Sequence, residues 1–146
     1  MVDYRKLVAE DLKDYKAMKE GICNNKERIA ELEAEFERIK GGAGGTASLR
    51  GGGNATEDKL INNIAERDRY ELNNRATTPL VLRIERSLRH LNETELKVIV
   101  RMYINEEKGA VLRLCEELNY EKSMIYKIKD AAIHKLALAM YGIEAL

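Results

Sequence analysis

Little in this chain would thicken a β core. Aromatic side chains make up 5% of its 146 residues, there is one proline, and no run of β-branched residues alternates with polar ones. Charged residues reach 34%. A surface-rich composition of this kind predicts an all-α protein. Net charge is absent as well, because 25 Lys and Arg balance 25 Asp and Glu. That excludes a protein that clings to nucleic acid through a global positive field. A nucleic-acid reader with this balance has to concentrate its cations locally. No apolar run approaches the length of a bilayer span, so no membrane partner is expected. The first residues, MVDYRKLVAEDLKDY, lack the apolar core of a signal peptide. The expected compartment is the cytoplasm. The two cysteines, Cys23 and Cys115, stand far apart on apolar helical faces. They predict reduced, partly buried thiols rather than a disulfide.

What is present is helical rhythm. Tyr4, Leu7, Val8, Leu12, Tyr15 and Met18 recur at helical spacing, and Gly21 offers a stop. Asn24 with Glu27 reads as a capping box that opens a second helix. In that helix Ile22, Ile29 and Phe36 repeat every seven residues, with Asn25, Leu32 and Ile39 between them. The pattern is a short coiled-coil seam with one polar layer at Asn25. It predicts either a helical hairpin of the two N-terminal helices or a homodimer through residues 22–39.

Residues 41–56, GGAGGTASLRGGGNAT, hold seven of the ten glycines. Their composition predicts a flexible linker with an average reach of about 20 Å. Gly42, Gly44 and Ala47 fit a loose phosphate-loop pattern. A charged helix precedes them where such a loop needs a strand, so a phosphate site is not expected. Thr56 is the expected cap of a connecting helix over 57–78, whose apolar stripe (Leu60, Ile61, Ile64, Leu72) is thin. Pro79 is expected to break that helix and start another. The new helix carries Leu80, Ile84, Leu88 and Leu91 on one face and Arg83, Arg86 and Arg89 on another.

The organisation expected is therefore an N-terminal hairpin or coiled coil over 1–40, a linker over 41–56, the connecting helix, and a three- to four-helix domain over 79–146. In that last domain Asn92 and Glu95 form a further capping box. Leu96, Ile99, Val100 and Tyr103 give the helix after it an apolar face, and a polar turn follows at 105–108. Val111, Leu114, Cys115 and Leu118 mark a brief helix.

The turn after Leu118 carries the functional reading. A helix-turn-helix bends sharply between its two helices. The residue at the bend prefers a left-handed backbone, which asparagine tolerates next best after glycine. Asn119 occupies that place, Cys115 supplies a small side chain four residues earlier, and Tyr120 is expected to plug the corner. Ile125, Ile128, Ala132 and Leu136 point back to a core at helical spacing. The opposite face carries Lys122, Ser123, Met124, Tyr126, Lys127, Lys129 and Asp130. Residues near the start of a recognition helix reach base edges. Lys122, Ser123, Met124 and Tyr126 are thus candidates for reading sequence. Lys127, Lys129 and His134 are candidates for gripping phosphates, and Arg83, Arg86 and Arg89 for holding the flanking backbone. The bland alternative is a solvated face on an ordinary bundle, since Glu116, Glu117 and Glu121 crowd the same turn.

At these residues the chain resembles a known group. The stretch RMYINEEKGAVLRLCEELNYEKSMIYKIKDAAIHKLA is similar to region 4 of sigma-70-type factors. It looks more closely like the C-terminal half of phage late transcriptional regulators of the RinA and ArpU type. Tyr103, Ile104, Val111, Cys115, Leu118, Ile125, Ile128 and Leu136 carry the likeness. The resemblance implies a small DNA-binding activator of late phage or prophage genes that engages host RNA polymerase. The chain departs from the group in two ways. Glu121 stands where Ser or Thr commonly caps the recognition helix, and that helix has no Arg for bidentate guanine contact. Two other readings fit the same pattern: a phage terminase small subunit and a protein–protein adaptor. No enzyme activity, metal or cofactor is expected, since His90 and His134 lack neighbours at ligand spacing.

Overall fold

The computed structural model describes residues 1–43 and 53–145, and these are all-α, with no strand among them. Five α-helices are present among the described residues: α1 (Tyr4–Ala43), α2 (Gly53–Leu88), α3 (Glu93–Ile99), α4 (Ala110–Leu118) and α5 (Lys122–Tyr141). A π-helical turn, Val100–Ile104, continues α3, and a 3-10 turn, Gly142–Ala145, follows α5. Most of the expected linker, residues 44–52, lies outside the described residues. Its two ends are helical, Gly41–Ala43 in α1 and Gly53–Thr56 in α2. Of the loose phosphate pattern only Gly42 is described, and it sits in α1.

Two expected breaks are absent. Gly21 lies inside α1, and Asn24 and Glu27, read as a capping box, are mid-helix. Thr56 is likewise inside α2 rather than capping it. A helical glycine costs only about 1 kcal/mol relative to alanine, which packing along both flanks outweighs. Pro79 also lies inside a helix, α2. It cannot donate to the carbonyl four residues earlier, but Arg75 and Pro79 are both exposed, so that carbonyl lies on a solvated side. The hairpin expected between residues 4–20 and 24–40 therefore does not form, since both belong to one helix.

The chain divides into two compact units, Lys19–Pro79 and Met1–Met18 with Leu80–Leu146. These boundaries differ from those expected at 40, 56 and 78. In the unit 19–79 the α1 and α2 segments run antiparallel. The seam residues of α1 meet α2 here: Asn25 Nδ2 donates to Asn73 and Asn74 Oδ1 at 3.0 and 2.9 Å. Asn74 Nδ2 returns a bond to the Ile22 carbonyl at 3.2 Å. Leu32 is buried, and the Arg67 guanidinium lies 5.0 Å from the centre of the Phe36 ring. The polar layer thus pairs with asparagines of α2, a match that apolar spacing alone does not specify.

Asn63 is the buried counterpart, 5% exposed. Its Nδ2 donates to the Leu32 carbonyl at 2.8 Å and its Oδ1 accepts from Arg67 Nε at 2.9 Å. Asn63→Ala is expected to lower stability by about 1–3 kcal/mol, because both bonds are lost inside the contact. Urea unfolding followed by circular dichroism checks this.

The other unit contains the candidate site. Its core joins Val8 and Leu12 of α1 to Ile84 of α2, Ile99 of α3 and Ala132 and Leu136 of α5. The first half-helix is therefore part of this unit rather than of an N-terminal hairpin. Burying Val8 and Leu12, both 0% exposed, contributes about 1.5–3 kcal/mol each. The Tyr15 hydroxyl donates to Glu85 at 2.9 Å. The Tyr141 hydroxyl donates to the Asp11 carboxylate. Burial first, then that bond and the charge of Asp11, push the Tyr141 phenol up to about 12. Ile84 of α2 and Leu91, in the bend beyond its end, are buried as expected, but Val81 takes the inward place expected for Leu80, which is exposed.

Candidate nucleic-acid interface

The candidate interface is built on α3. Its capping box is complete: Asn92 Oδ1 accepts from the Glu95 N–H at 2.8 Å, and Glu95 Oε1 accepts from the Asn92 N–H at 3.0 Å. The same carboxylate oxygen takes a bond from Lys135 of α5 at 2.8 Å. This fixes α5 against the start of α3. The helix then loosens into the π turn, where the Asn105 N–H reaches back five residues to the Val100 carbonyl at 2.7 Å. Inward positions are Glu95, Val98 and Ile99, then Ile104. Leu96, expected to be buried, is 36% exposed. Leu96 precedes the π turn: Glu95, bonded to Asn92 and Lys135, takes the inward place with Val98 and Ile99, and Leu96 falls outside that stripe. Gly109 then takes φ 68° at the N-cap of α4, a left-handed backbone that suits glycine.

A small core holds α4 and α5 together. Leu114 of α4 and Ile125 of α5 close with Val98 of α3, each 0% exposed, and Met102, Val111, Cys115, Leu118 and Ile128 pack around them. The bend lies where expected. Asn119 adopts φ 56°, ψ 41°, the left-handed conformation, and the Tyr120 N–H closes onto the Cys115 carbonyl at 3.3 Å. Glu121 is the N-cap residue of α5 with extended backbone and makes no side-chain cap bond. Its backbone carbonyl receives the N–H groups of Met124 and Ile125 instead. Tyr120, expected to plug the corner, is 41% exposed. The core beneath is already closed by Leu114 and Ile125, which leaves the ring outside. Cys23, expected to be partly buried, is exposed, while Cys115 is half-buried, and both are free thiols.

The outer side of α5 carries Lys122, Ser123, Met124, Tyr126, Lys127 and Asp130, all exposed. Lys129 and His134 are half-buried. The four lysines of α5 differ in availability. Lys135 belongs to Glu95. Lys129 is bound to Asp130 at 2.6 Å and lies 5.8 Å from the centre of the Tyr126 ring. The bond to Asp130 holds the Lys129 ammonium above its usual pKa, against the opposing effect of burial. Lys122 and Lys127 have no ion-pair partner among the described residues and remain the open cations of this face.

The acids at the bend are partly neutralised. Glu117 bridges Arg101 at 2.7 Å and Lys97 at 3.1 Å. Hydrogen bonds from Arg101 and then Lys97 hold its carboxyl below the usual range. These bridges tie α3 and the π turn to α4 and remove one negative charge from the neighbourhood of α5.

Of the three arginines expected to grip the flanking backbone, Arg83 and Arg86 are on α2 and Arg89 lies in the turn after it. Arg83 raises the positive potential at Tyr141. Tyr141 is at the other end of α5 from Lys122, about 28 Å away at 1.5 Å per residue. Arg86 and Arg89 are exposed. Two cations not singled out by sequence reading lie closer in sequence to the reader: Lys108, in the turn before α4, and Arg113 on α4, both exposed. The signal for them was the motif itself, whose first helix crosses the phosphate backbone. Among the described residues no group of three or more His, Cys, Asp or Glu side chains could hold a metal ion, and no helix is long and apolar enough to cross a membrane.

The chain matches no protein-family model, no curated protein and no solved structure.

Proposed function

We propose that this chain is a sequence-specific DNA-binding regulator of transcription that lays the first turns of α5 in the major groove. The observation that carries the reading is the left-handed Asn119 followed by five exposed side chains of groove-reading or phosphate-binding type, Lys122, Ser123, Met124, Tyr126 and Lys127. The bend and the buried Leu114–Ile125 contact set the helix angle, so the outer side of α5 is presented rather than packed away. Lys122 and Ser123 supply donors for base or phosphate oxygens. Met124 and the Tyr126 ring supply apolar contact of the kind a thymine methyl accepts. Lys127 is the phosphate grip. Lys129 is assigned a lesser share than the sequence suggests, because Asp130 already holds it. The resemblance to phage late regulators of the RinA and ArpU type supports late phage or prophage genes as the target and RNA polymerase as a partner, in the cytoplasm.

Lys127→Ala is expected to weaken binding to all duplexes alike and to reduce the slope of log affinity against log salt by about 0.9. Fluorescence anisotropy over a salt series reads both quantities. An unchanged slope removes α5 as the binding face. A second reading, an adaptor that binds protein, is favoured by one observation. Tyr120, Met124 and Tyr126 are 41, 42 and 40% exposed beside the bend. A gel shift with duplex fragments at low salt separates the two, since an adaptor retards none of them. The terminase reading differs in mass, because a ring of subunits is far heavier than a regulator.

A further inference from the structure

Residues 19–79 form a compact unit of their own, made of one stretch of α1 and one of α2. Burial within it is thin. Leu32 and Asn63, 2 and 5% exposed, are the buried residues described there. Every other buried residue among those described belongs to 1–18 or 80–146. Ile22, Ile29, Phe36 and Ile39, seam residues expected from sequence to join a hairpin or a homodimer, are only half-buried. Much of the remaining contact is polar and open to water. Asn25 bonds to Asn73 and Asn74, and Arg28 meets Glu66 at 3.5 Å with both side chains well exposed. Exposed pairs of this kind add little stability. Two helices joined over one buried apolar side chain have little to set against the entropy of ordering them.

Both helices are also weakest where this unit ends. Gly21 stands in α1 two residues past Lys19, and glycine holds a helix less firmly than any residue but proline. A Cβ added there would meet nothing within 4 Å, so packing does not require the glycine. Pro79, the last residue of the unit, leaves the Arg75 carbonyl without its helical donor. Thr77 Oγ1 donates to the Asn73 carbonyl at 2.9 Å, a back-bond that loosens the turn before the proline. Just beyond these weak turns the burial is deep, with Leu12 and Ile84 at 0 and 1% exposed.

We infer that residues 19–79 open and close as one cooperative segment while 1–18 and 80–146 stay folded, the opening being halted at Gly21 and Pro79. An unbroken helix would carry the opening on toward Leu12 and Ile84, because each turn supports the next. The weak turns let it stop short. Asn119 and α5 lie in the part that stays folded, so under the DNA reading binding survives the opening. The opening itself does not depend on that reading.

Hydrogen exchange of the full chain without DNA, followed by mass spectrometry at neutral pH, tests the inference. Relative to intrinsic rates, peptides within 22–40 and 57–76 are expected to exchange about a hundredfold faster than peptides within 8–18, 81–88 and 125–140. Leu32→Ala is expected to speed the first set by about a further tenfold and to leave the second unchanged. Gly21→Ala combined with Pro79→Ala is expected to slow the first set about tenfold, since the helices then run through the boundary without a weak turn. Equal protection in both sets, a Leu32→Ala variant that loosens both alike, or a double variant without slowing overturns the inference. A wild-type chain that exchanges as expected but binds no duplex would instead count against the DNA reading alone.

Discussion

Replacing Ile125 by alanine is expected to cost about 2–5 kcal/mol of stability and to abolish specific DNA binding at the same time. The side chain is 0% exposed and closes a core whose other fully buried members are Val98 and Leu114. In so small a cluster no deep layer is available to collapse into the space left behind, so the cost lies toward the upper part of that range. Ile125 is also the first inward residue of α5, one residue before Tyr126 and two before Lys127. Losing its anchor frees the first turn, and the side chains proposed to enter the groove lose their fixed angle. Calorimetry or urea unfolding gives the stability change, and anisotropy with an operator fragment gives the affinity. The larger cluster around Val8, Ile84 and Leu136 is separate. The variant is therefore expected to retain much of its helical circular dichroism while its binding is gone. A variant that unfolds at the wild-type midpoint and still binds its operator would contradict this.

The helix ends and the bend around α3, α4 and α5 were legible in sequence because their rules are local. Asn92 and Glu95 are three residues apart and cap one helix end. Asn119 must turn left-handed within a single residue, and a side chain that tolerates this is visible in the letter itself. Ile125, Ala132 and Leu136 keep one helical phase over α5, and all three are buried. Helix length was not legible for the opposite reason. Gly21 and Pro79 are local stop signals of about 1 and about 3 kcal/mol. They are overridden by contacts between residues some fifty positions apart, such as Asn25 with Asn73 and Asn74. Leu96 was misplaced because Glu95 takes the inward place beside it through its bonds to Asn92 and Lys135, and hydrophobic spacing cannot announce a buried carboxylate.

Site chemistry divided in the same manner. That Lys122, Ser123, Met124, Tyr126 and Lys127 share an exposed face follows from helical phase, with Ile125 inward. Which lysines are open does not follow from phase. Lys129 is adjacent to Asp130 in sequence, and adjacent residues on a helix point apart. Their charged ends nonetheless meet at 2.6 Å. Lys135 finds Glu95 forty residues away. Arg83, Arg86 and Arg89 looked equivalent by spacing, yet Arg83 lies toward Tyr141, at the far end of α5 from Lys122. Long-range pairing decides where the field is positive, and composition averages it away.

The second large effect is expected at Glu95, where the cap of α3, the lysine of α5 and a buried carboxylate meet. Glu95 is 5% exposed. Burial, the largest single influence, raises its pKa. The bond from Lys135, the bond from the Asn92 backbone and the charge of Lys135 together outweigh it and leave the carboxyl below its ordinary 4.5. Because the folded value is the lower one, the unfolded chain binds the proton more readily. The stabilisation is therefore full above the unfolded value and is lost as pH falls through the folded value. Wild type is expected to lose stability between about pH 5 and pH 3 more steeply than Glu95→Gln, which cannot titrate there. At neutral pH, Glu95→Ala is expected to cost about 2–3 kcal/mol, since two charge-assisted bonds go and the Asn92 N–H loses its acceptor. Glu95→Gln is expected to cost less, as an amide oxygen still serves the cap. Lys135→Met removes the bond and the charge that hold the pKa down, so burial prevails, the folded value rises and the acid-side slope flattens or reverses. Urea unfolding of the three variants from about pH 3 to about pH 7 reads all of this. Parallel profiles for wild type and Glu95→Gln would show that this carboxylate does not set the acid stability of the unit.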